Sequence, residues 1–212
     1  FTVFGGAYNG HRYVVVGSRR RLASDDPEAL IITTSVDGIN WEPQIMDNQL
    51  YFEGAFWTGQ EFVILFRNTR FTSADGVSWT PTSPNIPYRF RNVIWADSQF
   101  LATANLIDCC VILSSADGLD WSELSRIDEY NSISFACSPD GYVTFGNDSV
   151  NSSLRLAYYS HDGLTWEPVD FYSNYHIFSV EWLGDRFIAV GGEQALTSYD
   201  GINWTRHVLT TD

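Results

Sequence analysis

The chain has 212 residues and a formal net charge of −14, from 26 acidic residues against 12 basic ones, all arginine. An acidic surface repels the phosphates of nucleic acids and anionic lipids, so neither is an expected partner. No apolar run approaches the ~20 residues that cross a bilayer, so membrane insertion is not expected either.

A short phrase, Ser-x-Asp-Gly-x-x-Trp, occurs five times along the chain, with its tryptophans 38, 42, 45 and 38 residues apart. A period of about 40 residues is typical of the four-stranded blades of a propeller. Each unit is too small to bury a core alone, so the core must lie between stacked units. The phrase residues with an expected structural role are Ser35, Asp37, Trp41, Ser73, Asp75, Trp79, Ser115, Asp117, Trp121, Ser160, Asp162, Trp166, Ser198, Asp200 and Trp204.

Each repeat is predicted to contain four short strands separated by glycine turns. Because the five units are whole, we expect an all-β, five-bladed β-propeller of four-stranded antiparallel blades, closed as a ring and forming one domain over residues 1–212. The alternative is that the chain is part of a larger propeller. The predicted repeats span residues 1–48, 49–86, 87–128, 129–173 and 174–212.

The turn inside the phrase connects the third and fourth strands of each repeat. Asp-Gly between two strands favours a two-residue type I′ hairpin, which needs positive φ at both central residues. The serine hydroxyl and the aspartate carboxylate are expected to bond to turn backbone. The tryptophan is expected to pack over the hairpin or onto the next blade. Five equivalent carboxylates with structural roles argue against a catalytic role.

The phrase resembles the Asp-box of the sialidase-like propellers (BNR-like repeats), usually written Ser-x-Asp-x-Gly-x-Thr-Trp. In this chain the aspartate and glycine are adjacent, and the shortened form resembles the repeats of many bacterial secreted and surface propellers. The resemblance implies that the box lies on the face opposite the binding site. It also implies a secreted, cell-surface or periplasmic location.

The three cysteines do not form the even, spaced set of a disulfide framework. A bond between Cys110 and Cys137 is geometrically possible, but unpaired core thiols are the favoured interpretation for Cys109, Cys110 and Cys137. Cys137 stands where the other repeats carry an aromatic residue. No histidine lies near the cysteines at ligand spacing, so neither a metal ion nor another cofactor is predicted.

Propeller ligands usually bind where the fourth-to-first and second-to-third loops meet on one face. The predicted fourth-to-first loops are residues 43–50, 81–87, 124–130 and 168–175. Insertions on one face of a repeat array often mark the binding face. The second-to-third loops carry insertions at residues 17–28, 105–110 and 147–153.

Alignment of the first strands places aromatic and polar residues together at the mouth of the central channel. Tyrosines beside charged and amide groups suit a sugar or a small anionic ligand. The alternative is that Glu53 and Arg91 form a structural ion pair between adjacent blades and that the aromatic residues belong to the core. The candidate ligand-binding residues are Tyr51, Glu53, Tyr88, Arg89, Arg91, Asn131 and His176.

The sequence therefore favours a non-enzymatic recognition or scaffold module that binds a glycan or a protein, with its oligomeric state open. The alternative is a sialidase-like glycoside hydrolase, in which Arg89 and Arg91 would hold a carboxylate and Tyr51 and Glu53 would act as the nucleophile pair. The Phe/Tyr-Arg-Ile-Pro signature of those enzymes is not matched by residues 88–91. No catalytic residue is predicted.

Overall fold

The structure is a computed structural model that describes residues 2–19, 29–46, 52–67, 69–86, 88–153, 155–171 and 176–209. These residues form twenty strands in five four-stranded sheets, each built from four consecutive strands. The predicted fold class is confirmed: the chain is an all-β, five-bladed β-propeller of four-stranded antiparallel blades. Within the described ranges there is no helix long and apolar enough to cross a membrane.

Each sheet takes its four strands from one of the predicted repeats. The first sheet contains β1 (Thr2–Tyr8), β2 (Tyr13–Arg19), β3 (Ala29–Ser35) and β4 (Glu42–Met46); the second β5 (Phe52–Trp57), β6 (Phe62–Phe66), β7 (Thr69–Ser73) and β8 (Thr80–Thr82); the third β9 (Asn92–Ala96), β10 (Gln99–Asn105), β11 (Cys109–Ser115) and β12 (Ser122–Asp128); the fourth β13 (Tyr130–Ser138), β14 (Gly141–Asp148), β15 (Arg155–Ser160) and β16 (Glu167–Pro168); the fifth β17 (Ser179–Trp182), β18 (Phe187–Gly191), β19 (Gln194–Ser198) and β20 (Thr205–Val208).

The predicted two-residue hairpin at each Asp-Gly is wrong. In the first sheet, residues 36–41 separate β3 from β4. Gly38 has a φ of 72°, whereas none of the five phrase aspartates has positive φ. The aspartate stays outside the positive-φ region, and its carboxylate bonds to amides further along the turn. A two-residue turn with positive φ at both positions does occur at Asp97 and Ser98, between β9 and β10.

All five phrase turns share one hydrogen-bond pattern, for which the fifth is an example. The Gly201 amide donates to Ser198 Oγ (2.9 Å), and the Ser198 hydroxyl donates to Asp200 Oδ1 (2.9 Å). The amides of Ile202 and Asn203 donate to the same carboxylate oxygen at 2.9 and 2.8 Å. The turn therefore depends on the hydrogen bonds of one serine hydroxyl and one aspartate carboxylate.

These hydrogen bonds favour the ionised carboxylate and lower the pKa of each turn aspartate. Hydrogen bonds donated by backbone amides of the turn hold the pKa of Asp37, Asp75 and Asp162 below its usual range. At Asp117 and Asp200 burial is the largest single influence and raises the pKa, but the hydrogen bonds together outweigh it. The pKa of Asp200 falls to about 2.

The contacts within the chain group its residues into two compact units. The first unit contains Phe1–Pro87, Asp97–Phe100 and Ser115–Trp121. In this unit the first sheet buries Val14, Val16, Leu30 and Ile32 against the second sheet, where Phe62, Ile64, Phe66 and Phe71 complete one apolar cluster.

The second unit contains Tyr88–Ala96, Leu101–Ser114 and Ser122–Asp212. Here the fourth sheet is packed on both faces. On one face Phe135 and Tyr142 belong to a cluster with Leu101. On the other, Val143 and Phe145 pack with residues of the fifth sheet, including Phe187, Ala189 and Leu196.

Buried polar bonds between neighbouring sheets set the alignment of the first strands in the second unit. The Val180 amide of β17 donates to Ser134 Oγ of β13 at 2.9 Å. The Asn105 side chain makes two bonds to the backbone of Ser132, each of 2.9 Å. Buried amides and carbonyls need such partners, so these contacts select one relative position of adjacent sheets.

The three cysteines are unpaired, as the sequence predicted. Cys109 and Cys110 are buried, and Cys137 is half-buried. Burial raises the pKa of Cys110 to about 12, so this thiol stays protonated. These residues act as small apolar side chains in the core.

Replacing Ser134 with alanine removes the acceptor of a buried inter-sheet bond. Because the Val180 amide is then left without this partner, Ser134→Ala is expected to lower the free energy of unfolding by about 1–3 kcal/mol in urea titrations. Ser122→Ala, at an exposed strand position, is the matched control and is expected to change stability by less than ~0.5 kcal/mol. Equal stability of the two variants would contradict the role given to Ser134.

The low pKa values of the turn aspartates predict a loss of stability in acid. A carboxyl whose pKa is lower in the folded state than its unfolded value, near 3.8, contributes stability above that value and loses it as the pH falls through the folded pKa. The urea midpoint is therefore expected to fall as the pH is lowered from about 4 to about 2. The dependence is expected to be shallower in Asp200→Asn, and an unchanged slope would refute the assignment.

Candidate functional site

The candidate ligand-binding residues predicted from the sequence do not all lie on first strands. Tyr51 lies outside the described residues. Glu53 lies on β5, is half-buried and has an interaction partner. Tyr88, Arg89 and Arg91 were predicted to lie on the first strand of the third sheet, which is wrong, because β9 begins only at Asn92.

Two further candidates lie near the starts of first strands. Asn131 lies on β13 and pairs with Asn147 on β14. His176 precedes β17, which begins at Ser179, so its predicted position on a strand is also wrong. The alternating pattern continues upstream of both β9 and β17, and alternation alone therefore does not mark where a strand begins.

A bond between first strands relates some of these residues. The Asn92 side chain donates to the Ile133 carbonyl at 3.0 Å, which joins β9 to β13. Arg91 precedes Asn92, and Asn131 lies two residues before Ile133. Both residues therefore lie at the starts of neighbouring first strands.

The clearest candidate surface in the second unit is formed by two loops and the link between them, which we name the loop platform. It consists of residues 106–108 between β10 and β11, Glu129 between β12 and β13, and residues 149–151 between β14 and β15. Two of the predicted insertions, 105–110 and 147–153, thus contribute to it. The predicted loop at residues 124–130 is wrong, because β12 runs to Asp128 and a single residue connects it to β13.

Backbone hydrogen bonds hold the loop platform together. The Glu129 amide donates to the Asp108 carbonyl at 2.7 Å, and the Ser149 amide donates to the Glu129 carbonyl at 3.0 Å. Within the second loop, the Val150 and Asn151 amides donate to Asp148 Oδ1. The platform is therefore one continuous surface across two sheets.

Glu129 adopts a backbone conformation that non-glycine residues rarely occupy. Its φ is 53°, which lies in the left-handed region. A non-glycine residue there costs about 1–2 kcal/mol. This cost is tolerated because the conformation directs the amide and the carbonyl of Glu129 toward the loops on either side of it.

The platform presents two aliphatic side chains to solvent beside acidic groups. Ile107 is 96% exposed and Val150 is 85% exposed. Asp108 and Glu129 are exposed on the same surface. The platform therefore combines two exposed aliphatic side chains with two exposed carboxylates.

A buried hydroxyl network supports the platform from below. The Tyr130 hydroxyl lies 3.1 Å from Thr144 Oγ1, which also contacts Ser132 Oγ at 3.0 Å. Burial raises the pKa of the Tyr130 phenol well above its usual value, so it remains a neutral hydrogen-bonding group. Tyr158 packs edge-on against Tyr130 with ring centroids 5.0 Å apart. Contacts of the fully buried Tyr130 therefore fix the start of β13, which directly follows Glu129.

Two acidic groups of the platform region, Asp148 and Glu129, act on the Tyr158 phenol. Burial raises the pKa of Tyr158, and the nearby charges of Asp148 and Glu129 raise it further. The Arg155 guanidinium donates hydrogen bonds to Asn147 Oδ1 and to the Ser152 carbonyl.

In the part of the chain that the structure describes, no three His, Cys, Asp or Glu residues are grouped to hold a metal ion.

The sequence is not matched by any model of a known protein family or by any curated protein. Solved structures do resemble the fold. YCF48 bound to D1 peptide matches with a TM-score of 0.64 and 20% identity, over 96% of this chain and 66% of that chain. The chain therefore spans just under two thirds of the length of YCF48.

Two other similar structures have different functions. The nidogen/laminin complex matches with a TM-score of 0.62 and 10% identity, over 94% of this chain and 76% of that chain. The GH32 beta-fructofuranosidase BmSUC1 of Bombyx mori in complex with sucrose matches with a TM-score of 0.55 and 13% identity, over 90% and 54%. At these identities the likeness shows a β-propeller repeat protein and does not choose between binding and catalysis.

Replacing Glu129 with glycine is expected to stabilise the protein. Release of about 1–2 kcal/mol of left-handed strain exceeds the backbone entropy that glycine adds, about 0.5–1 kcal/mol. A rise of about 0.5–1 kcal/mol in the free energy of unfolding is therefore expected for Glu129→Gly. Asp128→Gly, one residue earlier on an extended strand, is the control and is expected to destabilise. Destabilisation by both variants would argue against strain at Glu129.

Proposed function

We propose that the chain is a non-enzymatic recognition module that binds a peptide or protein segment on the loop platform. The observation that carries this proposal is the near-complete exposure of Ile107 and Val150 on loops joined by backbone hydrogen bonds. Exposed aliphatic side chains also occur singly elsewhere on this chain, as at Ile39, so what distinguishes Ile107 and Val150 is their position on two loops that backbone hydrogen bonds join. Because the loops are already ordered by these bonds, binding would cost little conformational entropy.

The chemistry of the platform specifies its partner. Asp108, Asp128 and Glu129 are exposed at its edges, and the whole chain carries a net charge of −14. An aliphatic or aromatic residue of the partner would contact Ile107 and Val150, and flanking arginine or lysine side chains would meet the carboxylates. Acidic groups around such a contact would mainly raise the association rate and exclude acidic competitors.

Two similar structures support binding of this kind. The structure of YCF48 contains a bound D1 peptide, and nidogen was solved in complex with laminin. Both are propeller-like matches that cover more than nine tenths of this chain. The proposal for this chain, however, rests on its own loops.

We further propose that the repeated phrase is a shortened Asp-box and that the protein is secreted or displayed at a cell surface or in a periplasm. The turn supports the first statement, because serine and aspartate side chains cap its amides in all five copies. The acidic composition and the resemblance of the phrase support the second.

A carbohydrate is the second candidate ligand, with Arg91 and Asn131 of the second unit as its candidate site. The position of Arg91 and Asn131 at the starts of neighbouring first strands favours it, since amide and guanidinium groups bind sugar hydroxyls and carboxylates. A glycan array with the wild-type protein tests this candidate. Turnover of a fluorogenic sialoside, abolished in Glu53→Gln, would instead support the glycoside hydrolase alternative.

The peptide proposal is tested by selecting ligands from a random peptide display library and measuring their affinity by biolayer interferometry. Enriched peptides are expected to combine an apolar residue with arginine or lysine. Ile107→Glu and Val150→Glu are each expected to weaken binding at least about tenfold, the loss typical of a buried contact residue. Ile39→Glu changes a similarly exposed isoleucine, 80% exposed, in the first sheet's turn and is expected to have no effect.

Charge variants separate specific contact from general attraction. Asp108→Asn and Glu129→Gln keep the shape of the platform but remove charge, so they are expected to slow association and to reduce its dependence on salt. Peptide binding that is unchanged in the Ile107 and Val150 variants would overturn the proposal. The absence of any enriched basic and apolar sequence would do the same.

A further inference from the structure

The outer strands of the five sheets differ in whether a further strand can pair with them. The fourth strand of each sheet has a neighbouring strand on one side only among the described residues. Its other side presents backbone N–H and C=O groups that an added strand could bind. Proline blocks such pairing, because it has no N–H to donate. Three outer strands carry proline at the second residue after the phrase tryptophan: Pro43 of β4, Pro81 of β8 and Pro168 of β16.

The third sheet lacks this proline and has the longest outer strand among the described residues. β12 contains seven residues, whereas the other four outer strands contain two to five. Glu123 stands at the proline position in β12. In β20 of the fifth sheet this position is held by Arg206, but that strand has only four residues. β12 therefore offers the longest edge that proline does not block.

The register of β11 and β12 shows which backbone groups of β12 point away from β11. Asp128 pairs with Cys109, and the next residue, Glu129, donates its amide to the Asp108 carbonyl at 2.7 Å. In an antiparallel ladder, hydrogen-bonded and non-hydrogen-bonded pairs alternate. The pair that contains Asp128 is therefore a non-hydrogen-bonded one. Arg126 and Asp128 thus direct their N–H and C=O groups to the free side of β12.

The free side of β12 is open beside the loop platform. Arg126 and Asp128 are both exposed. The residues just before β12 already pair with another stretch of backbone, because Asp120 forms a parallel bridge with Asn85. That pairing does not continue onto β12: among the described residues, no backbone–backbone hydrogen bond joins β12 to a segment other than β11. Four outward backbone groups, two from each of Arg126 and Asp128, are thus available to an added strand.

Position and charge suit this edge to the basic, apolar peptide proposed for the platform. β12 ends at Asp128, and the next residue, Glu129, belongs to the platform. The Arg126 guanidinium is engaged by the Glu123 carboxylate. The acidic groups of Asp128 and Glu129 therefore dominate where the edge meets the platform. A lysine or arginine of an added strand, placed beside Asp128, would form a favourable cross-strand pair.

We propose that the peptide partner of the loop platform binds in an extended conformation and adds a strand to the free edge of β12. This inference rests on the proposed function and specifies its binding mode. The outward backbone groups of Arg126 and Asp128 bond to alternate residues of the peptide, which gives affinity that depends little on sequence. The peptide side chains that contact Ile107 and Val150 supply the specificity.

Methylation of the peptide backbone tests the strand addition on the unmodified protein. A peptide selected from the display library is synthesised as a series in which each residue in turn is N-methylated, which removes one N–H donor. Only alternate residues of an added strand direct their N–H toward β12. Affinity is therefore expected to fall at least about tenfold at alternate positions and to change little at the positions between them. A series without this alternation would overturn the strand addition.

Arg126→Pro introduces the blocking proline into β12. Because the Arg126 N–H points away from β11, the change breaks no bond of the ladder, and folding is verified by circular dichroism and urea unfolding. Peptide affinity is expected to fall at least about tenfold, since a donor is lost and the ring occupies the edge. Arg206→Pro is the matched control: it makes the same change on β20, at the position of the three prolines, and is expected to bind peptide as the wild type does.

The two proposals fail in different ways. Selected peptides that lose affinity for Ile107→Glu and Val150→Glu, but are unaffected by Arg126→Pro and by N-methylation, would overturn the strand addition and leave the platform proposal intact. Peptides that bind both glutamate variants as they bind the wild type would overturn the platform proposal and this inference with it.

Discussion

The structure depends on one constraint: a four-stranded sheet of this repeat has two apolar faces, and each face needs a neighbouring sheet. Within each described unit, alternate residues of the central strands serve opposite neighbours, as Val143 and Tyr142 do in the fourth sheet. Among the described residues, the apolar clusters each draw their side chains from two sheets. The stability of the protein therefore depends on contacts between repeats.

Polar groups convert this packing into a defined alignment. Apolar faces alone tolerate sliding, whereas the bonds from Asn92 and Asn105 to the next sheet's backbone and from Val180 to Ser134 are satisfied in one register only. The phrase turns act locally in the same way, because a serine and an aspartate bond to amides that a longer loop would leave unpaired. The alignment of adjacent sheets and the shape of each phrase turn therefore both depend on hydrogen bonds between side chains and backbone.

Much of the fold could be predicted from the sequence, because the phrase repeats at a fixed spacing and the central strands are continuously apolar. The turn type could not be predicted. An Asp-Gly pair fits both a two-residue hairpin and the longer turn seen here, and the hydrogen bonds from backbone amides to the aspartate favour the longer turn. The starts of β9 and β17 were missed because alternation extends beyond the residues that pair. The two platform loops coincide with insertions that the sequence predicted. The link through Glu129 could not be predicted, because a glutamate rarely adopts the left-handed φ that it has there.

The single-residue connection at Glu129 constrains how this surface could change in evolution. An insertion at that point would separate the two backbone bonds that join the loops on either side, and so would disrupt the platform as a whole. Substitutions at the loop tips, by contrast, alter side chains that contribute nothing to the core. Side chains at positions 107 and 150 can therefore change while the backbone bonds that join the two loops stay intact, so the surface chemistry of the platform is separable from its fold.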